Sequence, residues 1–125
     1  MKGNYELMVQ DEFSSAHFLR EYHGKCENVH GHNWKVQIFI GSKKLNKIGI
    51  AEDFKKLKND LNATLDKLDH KNINNVPFFR NTNPSSENIA KYIFNDIKKK
   101  IGSKHVKLSK VSVWESDNSC ATYSG

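Results

Sequence analysis

His30-Gly31-His32-Asn33-Trp34-Lys35-Val36-Gln37-Ile38-Phe39-Ile40 is the stretch of this sequence that decides the fold. Every even-numbered position after His32 is apolar, which predicts a β-strand over about 30–40 that ends at Gly41-Ser42. Because alternate strand residues point to the same side, His30 and His32 lie on the face that carries these apolar side chains. An imidazole on such a face needs a partner, and the two rings can bind one metal ion together.

A third histidine lies upstream, in Ser15-Ala16-His17-Phe18. It shares its parity with Tyr5, Leu7, Val9 and Phe13, so an unbroken strand places His17 on an apolar face. Three imidazoles without a fourth protein ligand are typical of catalytic zinc, which keeps one position open for water or substrate. The alternative is that the histidine pair is a hydrogen-bonded or surface feature. His23 and His105 have no comparable context and are predicted to face solvent.

The two cysteines are predicted to differ in role. Cys26 lies four residues before His30, in a polar loop over 19–29. A thiolate forms more readily beside a metal ion or a cation such as Lys25, so Cys26 is a candidate nucleophile or general base. The alternative is a small buried filler. Cys120 lies in a short final strand over 119–123, and for this cysteine we expect the filler role.

The rest of the chain predicts two helices followed by two strands. Helical spacing over 52–68 places Phe54, Leu57, Leu61, Leu65 and Leu68 on one stripe. A second helix begins at Asn83-Pro84-Ser85-Ser86-Glu87 and closes at Gly102. Strands around 111–115 and 119–123 complete the order ββααββ. We therefore expect one α+β domain over 1–125, a four-stranded antiparallel sheet with both helices on one face, and sheet edges covered by oligomerisation.

Two acidic positions are candidates for chemistry. Asp69-His70 follows the first helix, where a carboxylate can orient an imidazole for proton transfer. The alternative is a helix-end cap. Glu115 shares a face with Val111 and Val113, and a carboxylate there is costly unless a cation or a donor-rich ligand pairs with it. The alternative is an outward-facing strand residue.

Bulk properties narrow the function class. The chain has 125 residues and a formal net charge of +6, which favours an anionic partner. A phosphorylated small molecule would account for this charge as well as a nucleic acid would, but the lysines are dispersed among acidic residues, which argues against a nucleic-acid-binding domain. No apolar run approaches the length of a membrane span, and no hydrophobic signal region opens the sequence. We expect a cytoplasmic protein that contacts neither membrane nor nucleic acid.

Taken together, these motifs resemble the 6-pyruvoyltetrahydropterin synthase / 6-carboxytetrahydropterin synthase family over nearly the whole chain. The matching residues are Ser15-Ala16-His17, Cys26-x-x-x-His30-Gly31-His32, Asp53-Phe54, Leu68-Asp69-His70, Asn83-Pro84-Ser85-Ser86-Glu87-Asn88, Trp114-Glu115 and Ala121-Thr122-Tyr123. The resemblance implies a tunnelling fold (T-fold), a homohexamer built as a dimer of trimers, and active sites between subunits.

The resemblance also implies residue roles. Zinc would be bound by His17, His30 and His32, and the substrate would be 7,8-dihydroneopterin triphosphate. Cys26 would act as the general base, and Asp69-His70 as its proton relay. Glu115 would accept hydrogen bonds from the pterin ring, and Lys25 is a candidate contact for the triphosphate.

The loop distinguishes branches of this family. Three residues separate Cys26 from His30, which resembles the 6-carboxytetrahydropterin synthases of queuosine biosynthesis; tetrahydrobiopterin-pathway enzymes typically have a longer gap. Glu27, which follows Cys26, resembles a subgroup that makes 6-hydroxymethyl-7,8-dihydropterin for folate synthesis. Glu27 is therefore either a second catalytic base or a solvent-facing neighbour of the cysteine. A non-catalytic pterin- or metal-binding module is the alternative of a different class.

Overall fold

A four-stranded antiparallel sheet with two helices on one face forms the fold, as predicted. The computed structural model describes residues 4–102 and 105–125; the rest of the predicted 1–125 domain lies outside them. The elements are β1 (Tyr5–His17), β2 (His30–Ser42), α1 (Phe54–Leu65), α2 (Ser86–Lys98), β3 (Val106–Ser116) and β4 (Ser119–Tyr123). Short 3-10 turns over Ile73–Asn75 and Pro77–Arg80 connect the helices. No helix in the described ranges is long and apolar enough to cross a membrane.

The sheet order is β1-β2-β3-β4, so each strand pairs with its neighbours in the sequence. The β1–β2 ladder runs without a break from the Tyr5–Ser42 pair to the His17–His30 pair. Alternating burial along β2 places Trp34, Val36, Ile38 and Ile40 in the core, and they are fully buried. The histidines continue this same face at the end of the sheet, where the core gives way to the loop over 18–29.

Both helices begin at a side-chain cap. The carboxylate of Asp53 accepts a hydrogen bond from the backbone N–H of Lys55 at the start of α1. Ser85 caps α2 in the same way through the backbone N–H of Asn88. The isoleucine stripe of α2 packs against β3, and its members Ile89, Ile93 and Ile97 are fully buried.

The first helix differs from its prediction at both ends. It spans Phe54–Leu65 rather than 52–68, and turns follow it as far as His70. Leu68 is still buried, because its N–H bonds to the carbonyl of Leu65 and the chain stays against the core. Phe54, however, is 58% exposed. It lies beside Met8 in an open groove at the β1 edge, outside the sheet face that the helix stripe covers.

The prediction for Cys120 was wrong, because this cysteine is exposed rather than a buried filler. The register explains its exposure. Cys120 pairs with Trp114, whereas its neighbour Ala121 pairs with the fully buried Val113. Cys120 therefore points to the sheet face that the helices leave uncovered.

The segment after α1 covers part of the exposed edge of β1. The N–H of His70 bonds to the carbonyl of Ser14, and the N–H of Ala16 bonds to the carbonyl of Lys71. A parallel bridge between Ala16 and Asn72 continues this pairing. The consequence is that Asp69 and His70 are attached to the same strand that ends at His17.

Candidate metal centre and active site

Three imidazoles converge where β1 and β2 end, as the sequence predicts. The ring centroids of His17 and His30 are 4.7 Å apart, and those of His30 and His32 are 4.8 Å apart. His17 is buried, at 2% exposure, and the other two are partly exposed. The direct pairing of His17 with His30 in the ladder produces this convergence, because residues opposite each other on one face are close neighbours.

Backbone carbonyls fix the orientation of two of the rings. The Nδ1 atom of His17 lies 2.7 Å from the carbonyl oxygen of Pro84, and that of His30 lies 2.8 Å from the carbonyl oxygen of Asn28. A carbonyl only accepts, so each Nδ1 carries the proton and each Nε2 keeps its lone pair when the ring is neutral. This is how metal-binding histidines are commonly held.

Glu115 adds a fourth donor that the sequence prediction of three ligands does not include. Its Oε1 atom lies 3.2 Å from Nε2 of His17 and 3.2 Å from Nε2 of His32. Neither contact is a hydrogen bond, and both buried Nε2 atoms have no other partner among the described residues. The Nε2 lone pair of His17 and the carboxylate oxygen of Glu115 repel each other unless a proton or a cation lies between them.

The donor set fits a metal ion. One ligand atom from each of His17, His30, His32 and Glu115 lies within 4.8 Å of the others. Imidazole nitrogens with a carboxylate oxygen are a donor set that zinc takes in proteins. The unpaired Nε2 atoms and the fixed Nδ1 atoms are the observations that support this fit.

The environment favours the neutral form of His32. Burial is the main cause that lowers the pKa of its imidazole, and the neighbouring His17 and His30 lower it further. The carboxylates of Glu115 and Glu27 act in the opposite direction without reversing the shift. A neutral imidazole is the form that binds a metal, because a protonated ring has no free lone pair.

Trp34 forms the inner wall of this site. Its ring meets those of His17 and His32 edge to face, at centroid distances of 4.8 and 5.1 Å. The indole N–H donates to the carbonyl of Ser15 at 3.1 Å, so this fully buried side chain has a satisfied polar atom. The wall separates the histidines from the rest of the core.

Asp69 and His70 form the predicted pair. Asp69 Oδ2 lies 2.9 Å from His70 Nδ1, while Oδ1 accepts the backbone N–H of Ser14 at 2.8 Å. That backbone N–H is the main cause that lowers the pKa of Asp69, and the His70 ring lowers it further. His70 has a positive φ of 53°, and its side chain is 82% exposed. Nδ1 of His70 is thus held by Asp69, while the rest of the imidazole ring is exposed and open to a partner group.

The loop before β2 carries the other predicted residues. Cys26 and Lys25 are exposed there, whereas Glu27 is partly buried and accepts the backbone N–H of Leu19 through Oε1 at 3.1 Å. Glu27 is thus not simply a solvent-facing neighbour of the cysteine. The predictions for His23 and His105 are confirmed in that both residues are exposed.

Two carbonyl groups that support the site were not predicted from the sequence. The carbonyl oxygens of Pro84 and Asn28 orient the histidine rings, yet any residue supplies a carbonyl, so side-chain identity carries no signal for them. For Glu115 the sequence predicts a cation or a donor-rich ligand as partner, and its role as a pterin contact stays a prediction. Its parity with Val111 and Val113 correctly predicts the face but not the distance to the rings.

Comparisons with known proteins point to one family. The model of the family described as 6-pyruvoyl tetrahydropterin synthase matches residues 6–125. A putative 6-pyruvoyl tetrahydrobiopterin synthase of Caenorhabditis elegans is 34% identical, over 92% of this chain and 91% of that protein. A putative 6-carboxy-5,6,7,8-tetrahydropterin synthase of Archaeoglobus fulgidus is 36% identical, over 80% of this chain and 82% of its own.

A third relative has a different name. A dihydroneopterin monophosphate aldolase of Pyrococcus furiosus is 31% identical, over 87% of this chain and 88% of that protein. Among solved structures, the Caenorhabditis elegans 6-pyruvoyl tetrahydropterin synthase superposes with a TM-score of 0.87 at 31% identity, covering 98% of this chain and 96% of the other. The chain belongs to the 6-pyruvoyl tetrahydropterin synthase family.

Proposed function

We propose that this chain is a zinc-dependent lyase that converts 7,8-dihydroneopterin triphosphate into 6-carboxy-5,6,7,8-tetrahydropterin. One water molecule is consumed, acetaldehyde and triphosphate are the other products, and the pathway served is queuosine biosynthesis. The observation that carries the proposal is the set of buried, unpaired Nε2 atoms of His17 and His32 beside the ring of His30. Archaeal relatives named for this product or for an aldolase on a closely related pterin support the substrate class.

Zinc held by His17, His30 and His32 would supply Lewis-acid polarisation of the substrate side-chain hydroxyls. The protein residues then move the protons. Cys26 lies on the exposed loop that leads into His30, and in this proposal it takes the role of general base on the side-chain carbon. The ionised Asp69 orients His70, whose exposed imidazole passes a proton to or from the reacting side chain.

In this proposal Oε1 of Glu115 stays beside the metal centre, while the rest of its carboxylate and Lys25 serve substrate binding. The carboxylate of Glu115 is 36% exposed, so one face of it remains accessible to the amino and ring N–H groups of a pterin. Lys25 offers a cation to the triphosphate from the loop tip. The exposed ring of His70 and the open edge of β1 fit a site completed by a neighbouring subunit, and we propose a cytoplasmic hexamer made of two trimers.

Two other products are the main alternatives. The Pyrococcus furiosus relative favours aldol cleavage to 6-hydroxymethyl-7,8-dihydropterin, and the Caenorhabditis elegans relative favours 6-pyruvoyltetrahydropterin. The three-residue gap between Cys26 and His30 is our reason for preferring the carboxy product. These alternatives share the dihydroneopterin part of the substrate and the metal centre, although the Pyrococcus furiosus relative is named for the monophosphate, so product identity separates them.

Mass spectrometry of the products tests the proposal. The zinc-loaded protein is incubated with 7,8-dihydroneopterin triphosphate beside a Cys26→Ala variant and a Cys120→Ala control, which changes the other exposed thiol. We expect 6-carboxytetrahydropterin from the parent and the control but not from Cys26→Ala. A hydroxymethyl or pyruvoyl product would select an alternative. Pterin or zinc binding without any turnover would reduce the protein to a non-catalytic binding module.

A further inference from the structure

The loop between β1 and β2 is closed at its base by one pair of residues. Leu19 and Glu27 are eight positions apart, and the backbone N–H of Glu27 donates to the carbonyl of Leu19 at 2.9 Å. In return, the N–H of Leu19 donates to Oε1 of Glu27 at 3.1 Å. In a regular antiparallel pair the second acceptor would be a backbone carbonyl. Here the side-chain carboxylate of Glu27 takes that place.

The rest of the loop depends on this contact between Leu19 and Glu27. Glu21, His23 and Gly24 have positive φ angles, and the turn is held by the N–H of Lys25 bonded to the carbonyl of Tyr22. Every residue from 21 to 29 is exposed except Glu27. With so little buried surface, the loop has few other contacts to fix its position.

Leu19, the partner of Glu27 in this contact, is held in place by its two neighbours. Asn74 pairs with Phe18, accepting its N–H at 2.9 Å and donating to its carbonyl at 2.9 Å. Asn83 makes the same double contact with Arg20, at 2.8 and 3.0 Å. Leu19 lies between these two anchored residues. A bond from Glu27 to Leu19 therefore ties the loop to a fixed point two residues beyond His17.

The hydrogen bond between Glu27 and Leu19 also affects the two sequence neighbours of Glu27. Cys26 precedes it directly, and Asn28, which follows it, supplies the carbonyl that orients the ring of His30. Fixing the backbone at Glu27 therefore fixes both the thiol and the acceptor of a metal ligand. The negative charge of Glu27 is not needed for this, because an amide oxygen accepts a backbone N–H as well.

We propose that Glu27 is a positioning residue, whose side-chain oxygen closes the loop onto Leu19 and so sets Cys26 and His30 in place, rather than a second catalytic base. The inference deepens the proposed function and rests on it for the role of Cys26. Its central prediction concerns the length and the charge of the side chain at position 27. The required property of residue 27 is an acceptor oxygen at the distance that glutamate provides, and the carboxylate charge is dispensable.

Two variants separate reach from charge. Glu27→Gln keeps an acceptor oxygen at the same reach and removes the charge. Glu27→Asp keeps the charge but shortens the side chain by one carbon–carbon bond, about 1.5 Å. Glu27→Ala removes both properties. Three readouts apply to each purified full-length variant: zinc affinity by competition with a chromophoric chelator, hydrogen exchange at the Leu19 amide, and the product of 7,8-dihydroneopterin triphosphate turnover.

A fourth readout follows the thiol itself. The rate at which iodoacetamide alkylates Cys26 is measured by peptide mass spectrometry, with the exposed Cys120 in the same molecule as the internal reference. We expect Glu27→Gln to match the parent in all four measurements. Glu27→Asp and Glu27→Ala should bind zinc about tenfold more weakly, the scale of effect seen for outer partners of metal ligands. In both variants the Leu19 amide should exchange faster, and the Cys26 to Cys120 alkylation ratio should change.

Other outcomes overturn the inference. If Glu27→Asp turns over and Glu27→Gln does not, the carboxylate is a base. If Leu19 protection and zinc affinity are the same in all variants, the bond holds nothing in place. A parent protein without turnover would sink the proposed function alone, because zinc affinity, amide exchange and alkylation still decide whether Glu27 positions the loop.

Discussion

The imidazole of His17 is bonded through Nδ1 to the carbonyl oxygen of Pro84, 67 positions further along the chain, at 2.7 Å. This contact connects the end of β1 to the cap of α2, because Pro84 immediately precedes the capping residue Ser85. The most buried ligand of the candidate metal centre is therefore oriented by the start of a helix that packs on β3. This one hydrogen bond therefore links the candidate metal centre to the start of α2.

Zinc binding should depend on His17 and not on His23. We expect the parent to bind one zinc ion per chain and His17→Ala to lose at least about 10-fold in affinity, since the variant lacks an imidazole ligand. His23→Ala is the matched control, because its imidazole is exposed in the loop. Isothermal titration calorimetry after chelator treatment measures both. Equal affinities for the three proteins would contradict the assigned metal centre.

Glu115 should contribute to metal affinity as well. Glu115→Gln replaces the oxygen that lies 3.2 Å from two ring nitrogens with an uncharged amide, so we expect about tenfold weaker zinc binding. Substitution with Co²⁺ gives a second measurement, because the visible absorption of Co²⁺ changes with its donor atoms. Glu12→Gln, on the exposed part of β1, is the control. An unchanged Co²⁺ spectrum and an unchanged affinity would remove Glu115 from the donor set.

Asp69→Asn should lower turnover without lowering zinc affinity. An asparagine oxygen still accepts the Ser14 N–H, so the loop position is kept, but the charge that stabilises a protonated His70 is lost. We expect the turnover number to fall about 100-fold, the lower end of what general acid–base groups contribute. Steady-state kinetics and metal analysis on the same sample test this. Asp66→Asn, an exposed position at the end of α1, serves as the comparison.

Acid stability should depend on Asp96, which joins the two helices. Burial alone would raise its pKa, but hydrogen bonds from Thr64 and Lys67 outweigh burial and lower the pKa below 3.8. A carboxyl with a depressed pKa in the folded state contributes stability above its unfolded pKa, and that contribution is lost as the pH falls through the folded value.

We therefore expect Asp96→Asn to be less stable than the parent near pH 7, by roughly 1 kcal/mol. Below about pH 4 the two proteins should converge. Urea unfolding followed by circular dichroism between pH 2 and pH 7 gives the comparison. A gap that stays constant across this range would show that the ionised carboxylate is not the stabilising form.

Much of the fold could be predicted from the sequence because its periodicities are clean. The alternation in β2 and the isoleucine stripe of α2 both predict the buried face correctly. Phe54 shows the limit of such patterns. A helical stripe predicts which residues share a face of the helix. It does not predict which of those residues lie beyond the edge of the sheet and so stay exposed. Cys120 shows a second limit, since the parity of a five-residue strand depends on a register that only its partner β3 defines.

The convergence of the three imidazoles was predicted, whereas the groups that support them were not, and their role as metal ligands stays a prediction. His17, His30 and His32 follow from parity on two strands, and the pairing of Asp69 with His70 follows from adjacency. The bond from Glu27 to Leu19 was not foreseen, because it depends on how the loop folds back on itself. The approach of Glu115 to the rings depends on the β2–β3 register, which the sequence does not state.

The ladder between β1 and β2 ends on the pair His17 and His30 themselves. The connection between the strands therefore begins only after one ligand and finishes just before the next. Sheet pairing sets the backbone positions of both histidines, so residues can be inserted into or deleted from that connection without separating these two positions. Such a change would relocate the thiol of Cys26 and the Asn28 carbonyl that orients the ring of His30. In this architecture, the length of one surface loop can change the position of the thiol while the paired strand ends stay in place.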